Sequence, residues 1–320
     1  MAGSAVEAAV GLFDRRFITN AVLPVLLFAP AVAALVLLQQ GEVDAAAAAW
    51  DAQSTTLKLL EVAGYLALVW FLAAVLASQW GTLTKLFEGY PLEHFGGPMH
   101  RAAITWHRVH RDALADEPAE SRMRYPLDND RILPSALGNI LRAAEDYPDD
   151  RYDAPLFAVW SRLWFVLPRE IQENVEWARS RMELLLVVSA WAAAFAWLGL
   201  ALAVVVASAG AIAVGGFVGG MVLAVLAYRA ALFAAREYGN RLRAAFELHR
   251  MELLQRLGFA GPKTLDEEYE IWRTLNSLLE IEDNGHRIDP PADVQHRLMY
   301  KAPPPPELVL RIVLKPEPPQ

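Results

Sequence analysis

Asp149, Asp150 and Asp153 stand in a D-D-x-x-D spacing, and His100, His107 and His110 recur at helical intervals upstream of them. Aspartates so spaced on a helix can hold magnesium against a diphosphate, and imidazoles one turn apart can bind zinc or another transition metal. The surroundings argue against both. Pro148 and Pro155 bracket the aspartates, which therefore read as a tight loop, with Asp153 the N-cap of a helix beginning at Ala154. The second aspartate-rich helix that diphosphate chemistry needs is missing, and Asp128-Asn129-Asp130 reads as a turn. On a helix starting near Pro98 the three histidines share their face with Ile104, Arg111 and Leu114, and a guanidinium among ligands repels a cation. The opposite stripe, Ala102, Trp106, Val109 and Ala113, reads as the packing side. The chain has no cysteine, and it lacks a P-loop, a dinucleotide fingerprint, a G-x-S-x-G elbow and an H-E-x-x-H pair. The expectation is a non-enzymatic protein with no catalytic residue, no bound metal and no cofactor.

The elements that must position these residues are dominated by long apolar runs. The 320 residues are 55% hydrophobic and only 21% charged. Phe17–Leu38 carries no charge and is long enough to cross a hydrocarbon core about 30 Å thick. Val62–Trp80 is a second span. Met182–Ala235 is too long for one span and suits two, Leu184–Val206 and Ile212–Tyr228, joined near Ala207-Ser208-Ala209-Gly210. Arg15, Arg16, Lys85, Arg101, Arg108, Arg179, Arg181, Arg229 and Arg236 all flank one side, whereas the opposite loops hold only Lys58. The positive-inside rule then puts both termini and the central block in the cytoplasm, in a multi-pass protein of the cytoplasmic (inner) membrane. A net charge of -8 argues against a nucleic-acid partner.

The expected organisation is all-α. Residues 1–16 are a cytosolic N-terminus, 17–80 a first transmembrane hairpin, 81–183 a cytosolic helical module, and 184–235 a second transmembrane hairpin. Residues 236–285 are further cytosolic helices, one opened by a capping box at Thr264-Leu-Asp-Glu267, and 286–320 are a proline-rich tail. The third and fourth spans should continue into the cytoplasm as an antiparallel stalk. In the fourth, Gly215, Gly216, Gly219 and Gly220 make two overlapping GxxxG spacings, suited to packing against the third span or against a second copy.

The most information-dense polar sequence is Ser135 to Trp164. Pro134 and Ser135 read as a helix start, with Leu137, Ile140, Leu141 and Ala144 the buried stripe. Asn139, Arg142 and Asp146 fall on the other side, and Arg142 can pair with Asp146 one turn on. Gly138 costs a helix about 1 kcal/mol relative to alanine, which predicts that another backbone comes close there. Ala154–Leu167 reads as a helix with Leu156, Trp160, Leu163 and Leu167 on one face, suited to the inner membrane surface or to burial in the module.

Leu137-Gly138-Asn139, Arg142-Ala143, Tyr147-Pro148, Arg151-Tyr152 and Trp160-Ser161-Arg162-Leu163 follow one another in the same order as in a family of four-span bacterial membrane proteins common in actinobacteria, which this chain resembles over about residues 80–240. That family often has a glycine after its Arg-Tyr pair, where this chain has Asp153. The resemblance implies two spans before the loop and two after it, and no activity. Together with the polar face that includes Asp146 and the turn residue Asp153, it makes Gly138, Asn139, Arg142, Asp146, Tyr147, Arg151, Tyr152, Asp153, Trp160 and Arg162 a candidate motif for partner binding or for structure.

Together these readings predict a membrane-anchored scaffold or docking subunit that presents its module to a cytosolic protein partner. An oligomeric channel or transport component, assembled through the fourth span, is the alternative, and a membrane-associated metal-dependent enzyme the third. The few ionisable groups in the spans, Glu61 and Arg229, lie near span ends, which disfavours a carrier.

Overall fold

The computed structural model describes residues 15–95, 97–206 and 210–279, and no strand occurs among them. The tail with Pro290-Pro291, Pro303–Pro306 and Leu308–Leu314 lies outside the described residues, as does the junction 207–209. Four helices are long and apolar enough to cross a membrane: Ile18–Gln40, Thr55–Ser78, Arg169–Val204 and Gly210–Arg256.

The first opens with a π turn, Ile18–Val22, and continues as α1, Leu23–Gln40, ended by left-handed Gly41 (φ 73°). A short helix, α2 (Val43–Ala52), leads to α3, Thr55–Ser78. Helix α3 starts well before the expected Val62, because Ser54 Oγ accepts the Leu57 N–H and so caps the helix early. It stops at Gln79, and Trp80 opens α4 (Trp80–Glu88) instead of closing the span.

The two long helices are α11, Arg169–Val206, and α12, Gly210–Arg256. At 1.5 Å per residue they are about 57 and about 70 Å long. Each therefore runs beyond its apolar part without a break, as expected of helices that continue into a stalk. They run antiparallel. Ser189 Oγ donates to the Ala224 carbonyl at 2.9 Å, Arg181 pairs with Glu237 at 3.4 Å, and Arg241 donates to the Asn174 carbonyl at 2.7 Å. The glycines of α12 divide between two faces. A Cβ on Gly220 would lie 2.9 Å from Ala196 Cβ, and one on Gly216 would lie 3.4 Å from Leu35, whereas Gly215 and Gly219 have nothing within 4 Å.

Helix α1 lies parallel to α11. Asn20 donates to the Ser180 carbonyl at 2.8 Å near one end and Gln39 to the Gly199 carbonyl at 3.0 Å near the other. Between them Phe28 stacks on Trp191, ring centroids 4.2 Å apart. Helix α3 runs the opposite way beside α1, with Tyr65 donating to the Leu26 carbonyl at 2.7 Å. The turn that precedes α1 is tied to α11 by Glu183, which is 3% exposed and accepts from Arg16 at 2.8 and 2.6 Å and from Arg179 at 2.9 Å.

The remaining helices build on the polar ends of α11 and α12. They are α5 (Tyr90–Phe95), α6 (Gly97–Asp112), α7 (Pro118–Arg124), α8 (Ala136–Glu145), α9 (Tyr147–Tyr152), α10 (Leu156–Val166) and α13 (Leu265–Leu279). Leu137, Ile140 and Leu141 of α8 pack with Met182 and Leu186 of α11 and with Ala231, Ala234 and Ala235 of α12. Further out, Val159 and Leu163 of α10, Leu242, Phe246 and Leu253 of α12, and Trp272 and Leu275 of α13 form a second core. Half of the predicted capping box forms: Glu267 N–H donates to Thr264 Oγ1 at 3.2 Å, but the Glu267 carboxylate accepts the Lys263 N–H at 2.7 Å and not that of Thr264.

Candidate functional site

Ser135 Oγ accepts the Gly138 N–H at 2.9 Å and starts α8. The close approach that Gly138 predicts is present. A Cβ there would lie 2.6 Å from the Glu88 backbone oxygen, so only glycine lets the end of α4 cross this turn. Asn139 is wholly buried. Its amide donates to the Leu133 and Ser135 carbonyls at 2.8 and 2.9 Å, and its oxygen accepts the Leu133 N–H at 2.8 Å. This side chain holds the incoming loop and does not join an open polar face with Arg142 and Asp146.

The expected pairing of Arg142 with Asp146 is not made. Arg142 donates to the Tyr90 hydroxyl at 2.7 Å, and Asp146 Oδ1 pairs with Arg131 at 2.7 Å. Arg131 comes from the 3-10 turn Asn129–Arg131, a tertiary partner that outcompetes the one a helical turn away. Asp146 is 4% exposed, and its Oδ2 is buried with no partner. Burial pushes its carboxyl up to about 6 in spite of Arg131.

The aspartate run differs from the expected loop. Tyr147–Tyr152 is a short helix with Pro148 in its first turn, and Asp149 and Asp150 lie within it. Asp153 is not an N-cap. It closes this helix in a left-handed conformation (φ 59°), its N–H donating to the Asp149 carbonyl at 2.8 Å. The next helix starts at Leu156 and not at Ala154, because a residue preceding proline is excluded from the helical region and Ala154 precedes Pro155. A left-handed residue is where glycine costs least, so Asp153 holds a conformation that few side chains adopt. The Asp153 carboxylate accepts from Arg273 at 2.9 Å.

Around this turn the motif residues take separate places. The Tyr147 hydroxyl donates to Glu247, and burial together with that carboxylate pushes it up to about 12. Tyr152 is buried against Phe246, ring centroids 5.7 Å apart, with Arg250 over its face at 4.6 Å. Arg151 and Arg162 are exposed, Arg162 donating to the Ala158 carbonyl at 2.6 Å. Trp160 is half-buried and lies 5.6 Å from Trp164. On α10 the buried face is Leu156, Val159 and Leu163, followed by Leu167, while Phe157 and Phe165 point outward at 79% and 88% exposure.

Together these elements enclose a cleft of about 300 Å³. Arg131, Arg142, Glu145, Asp146 and Asp149 make its charged wall, and Leu156, Phe157, Trp160 and Tyr238 its apolar wall. Sequence periodicity misses Arg131, Glu145, Phe157 and Tyr238. Only Phe157 carried a local signal, lying one turn from Trp160.

The histidines do not converge. His107 is buried, its Nδ1 lies 3.3 Å from the Tyr125 hydroxyl, and burial lowers it to about 4. His110 stacks on Trp106 with ring centroids 3.6 Å apart. The expected packing stripe, Ala102, Trp106, Val109 and Ala113, is exposed. The segment 125–129 lies across the histidine side instead, held by Arg111 on the Leu127 carbonyl and Arg108 on the Asn129 carbonyl. No group of three or more His, Cys, Asp or Glu placed to hold a metal ion occurs among the described residues.

Comparison of the chain with family models, curated proteins and solved structures gives no significant match.

Proposed function

We propose that this protein is a membrane-anchored docking subunit with a non-enzymatic role. Its four spans, arranged as two hairpins in the cytoplasmic membrane, hold a helical module against the cytoplasmic side for a protein partner. The observation that carries the reading is the outward face of α10. Phe157 and Phe165 are open, with Trp160 and Trp164 half-buried beside them. The inner face of the same helix packs with α12 residues Leu242 to Leu253. Those residues lie about 20–36 Å along the helix beyond Arg229, where the apolar part of α12 ends. A lipid surface is out of reach at that height, so the aromatic face suits a protein and not the inner leaflet.

The test is co-purification from native membranes of the wild type and of a Phe157→Ser, Phe165→Ser double variant. A protein retained by the first and lost by the second supports the reading, and identical profiles reject it. Self-association through the fourth span, which an oligomeric channel would also need, is favoured separately by the open Gly215 and Gly219. Light scattering in detergent tests it: a dimer that Gly219→Leu converts to monomer supports the second reading, and a wild-type monomer rejects it.

A further inference from the structure

We propose that the groove between the end of α3 and helix α4 seats an anionic phospholipid, its chain against Leu76, Leu83 and Leu86 and its headgroup at Lys85. This rests on reading the four apolar helices as membrane spans, and it is independent of the docking face of α10.

Both ends of α4 sit at one level of the bundle. At its start the Arg16 guanidinium lies over Trp80, 4.4 Å from the ring centroid, and Arg16 is tied to Glu183 of α11. Near its other end Phe87 stacks on Tyr228 of α12, ring centroids 5.8 Å apart. Glu183 and Tyr228 both fall between two rungs of the antiparallel pair, Ser189 with Ala224 and Arg181 with Glu237. Those rungs are about 12 Å apart along α11 at 1.5 Å per residue. Helix α4 therefore crosses the bundle inside a narrow band instead of prolonging α3. The same band holds Glu183 and Arg229, where the apolar parts of α11 and α12 give way to charge. In a bilayer that is the level of the lipid headgroups.

The groove at this level has a volume of about 580 Å³. Leu76 of α3, Leu83 and Leu86 of α4 and Tyr90 of α5 give it apolar walls, and Gln79, Thr82 and Lys85 are polar groups that line it. Phe71, Val75 and Gln79 recur at four-residue spacing on α3 and are exposed, so an outward apolar stripe of the span leads into the groove. Phe87, on the other side of α4, is the residue that packs on the bundle.

Charge selects among lipids. Among the described residues Lys85 is the one charged group lining the groove; it is exposed, and its ammonium makes no hydrogen bond or ion pair. The nearest acid, Glu88, interacts with Arg142 and Glu145 as well as with Lys85 and does not line the groove. A chain-bearing anion answers both features at once. A free inorganic anion would leave the leucines to water, and a neutral lipid would leave the ammonium unmatched. One lysine beside a membrane surface contributes about fivefold in affinity for anionic lipid.

The experiment is native mass spectrometry of the full-length protein in detergent micelles, titrated with phosphatidylglycerol and, separately, phosphatidylcholine. Phosphatidylglycerol should be retained about fivefold more strongly. Lys85→Gln should abolish that preference, whereas Leu83→Asn should weaken both lipids and keep it. Lys58→Gln, a lysine near the opposite end of α3, should leave it unchanged. Equal retention of the two lipids by the wild type would overturn the proposal. So would a preference that survives Lys85→Gln, an equal loss in Lys58→Gln, or an unchanged affinity in Leu83→Asn. Displacement of phosphatidylglycerol by millimolar glycerol phosphate would also overturn it, because the seat would then recognise an anion without its chain. Alkaline carbonate extraction of native membranes separates the premise from the site. Release of the protein would overturn the spans and the site together, and a retained protein with no lipid preference would overturn the site alone.

Discussion

Glu183 and Asp146 are buried to the same degree, at 3% and 4% exposure, and differ in how they are satisfied. Glu183 meets two guanidiniums, Arg16 and Arg179, and both its oxygens are used. It joins the start of the first apolar helix to the middle of α11, and its geometry leaves nothing to add. Asp146 lines a cleft and has one guanidinium on one oxygen, while its other oxygen is buried without a donor. A fully paired buried charge is a fastener, and breaking it exposes the cost of burial. A half-paired one is held in place by the rest of the fold and carries a desolvation cost that nothing offsets. The comparison separates a carboxylate that the fold needs from one that the fold tolerates.

Glu183→Ala should break that contrast most. It takes the shared carboxylate from Arg16 and Arg179, and we expect a loss of about 3 kcal/mol, the low end for a broken buried pair because Arg179 can turn to water. Thermal unfolding in detergent reads it. A loss no larger than that of an exposed pair, such as Arg169 with Glu173, would remove Glu183 from its role. Gly138→Ala comes next, at about 2 kcal/mol, because the new methyl meets the Glu88 backbone oxygen and not a movable side chain. It should also shift α8 and disturb Asp146 at its far end. An alanine with no cost at all would mean that α4 does not cross this turn.

Asp146→Asn should have the smallest effect, within about 1 kcal/mol, because the amide keeps an oxygen for Arg131 and sheds a poorly solvated charge. Its pH dependence is the sharper reading. The carboxyl binds its proton more tightly folded, near pH 6, than unfolded, near its ordinary 3.8. The wild type therefore loses stability from this group as pH rises through that window, and the loss is complete above it. Relative to wild type the asparagine variant should gain stability between about pH 4 and pH 6 and then run parallel. A constant difference across the window would show that Asp146 is an ordinary surface carboxylate.

Features set by local chemistry were legible in the sequence. The four apolar runs, the unbroken continuation of α11 and α12, the caps at Ser135 and Thr264 and the close approach at Gly138 each depend on residues within a turn or two. Features set by distant partners were not. Arg142 was the obvious mate for Asp146 because it lies one turn away, yet Arg131 takes that place from a turn that reads as loop. The amphipathic helix α6 offered two faces, and the one that packs was decided by Tyr125, 18 residues from His107. Glu183 sat at the edge of a span with no sign that Arg16, 167 residues earlier, would reach it. Asp153 is a different case. The dipeptide Ala154-Pro155 already forbade a helix start at Ala154, and the acidic spacing drew attention from it.

The docking claim is tested most directly by a photo-cross-linking amino acid placed at Phe165 and activated in native membranes. The account predicts a discrete adduct with another protein, absent when the same group replaces Val222 on the apolar part of α12. Adducts with lipid alone, or the same products at both positions, would contradict it.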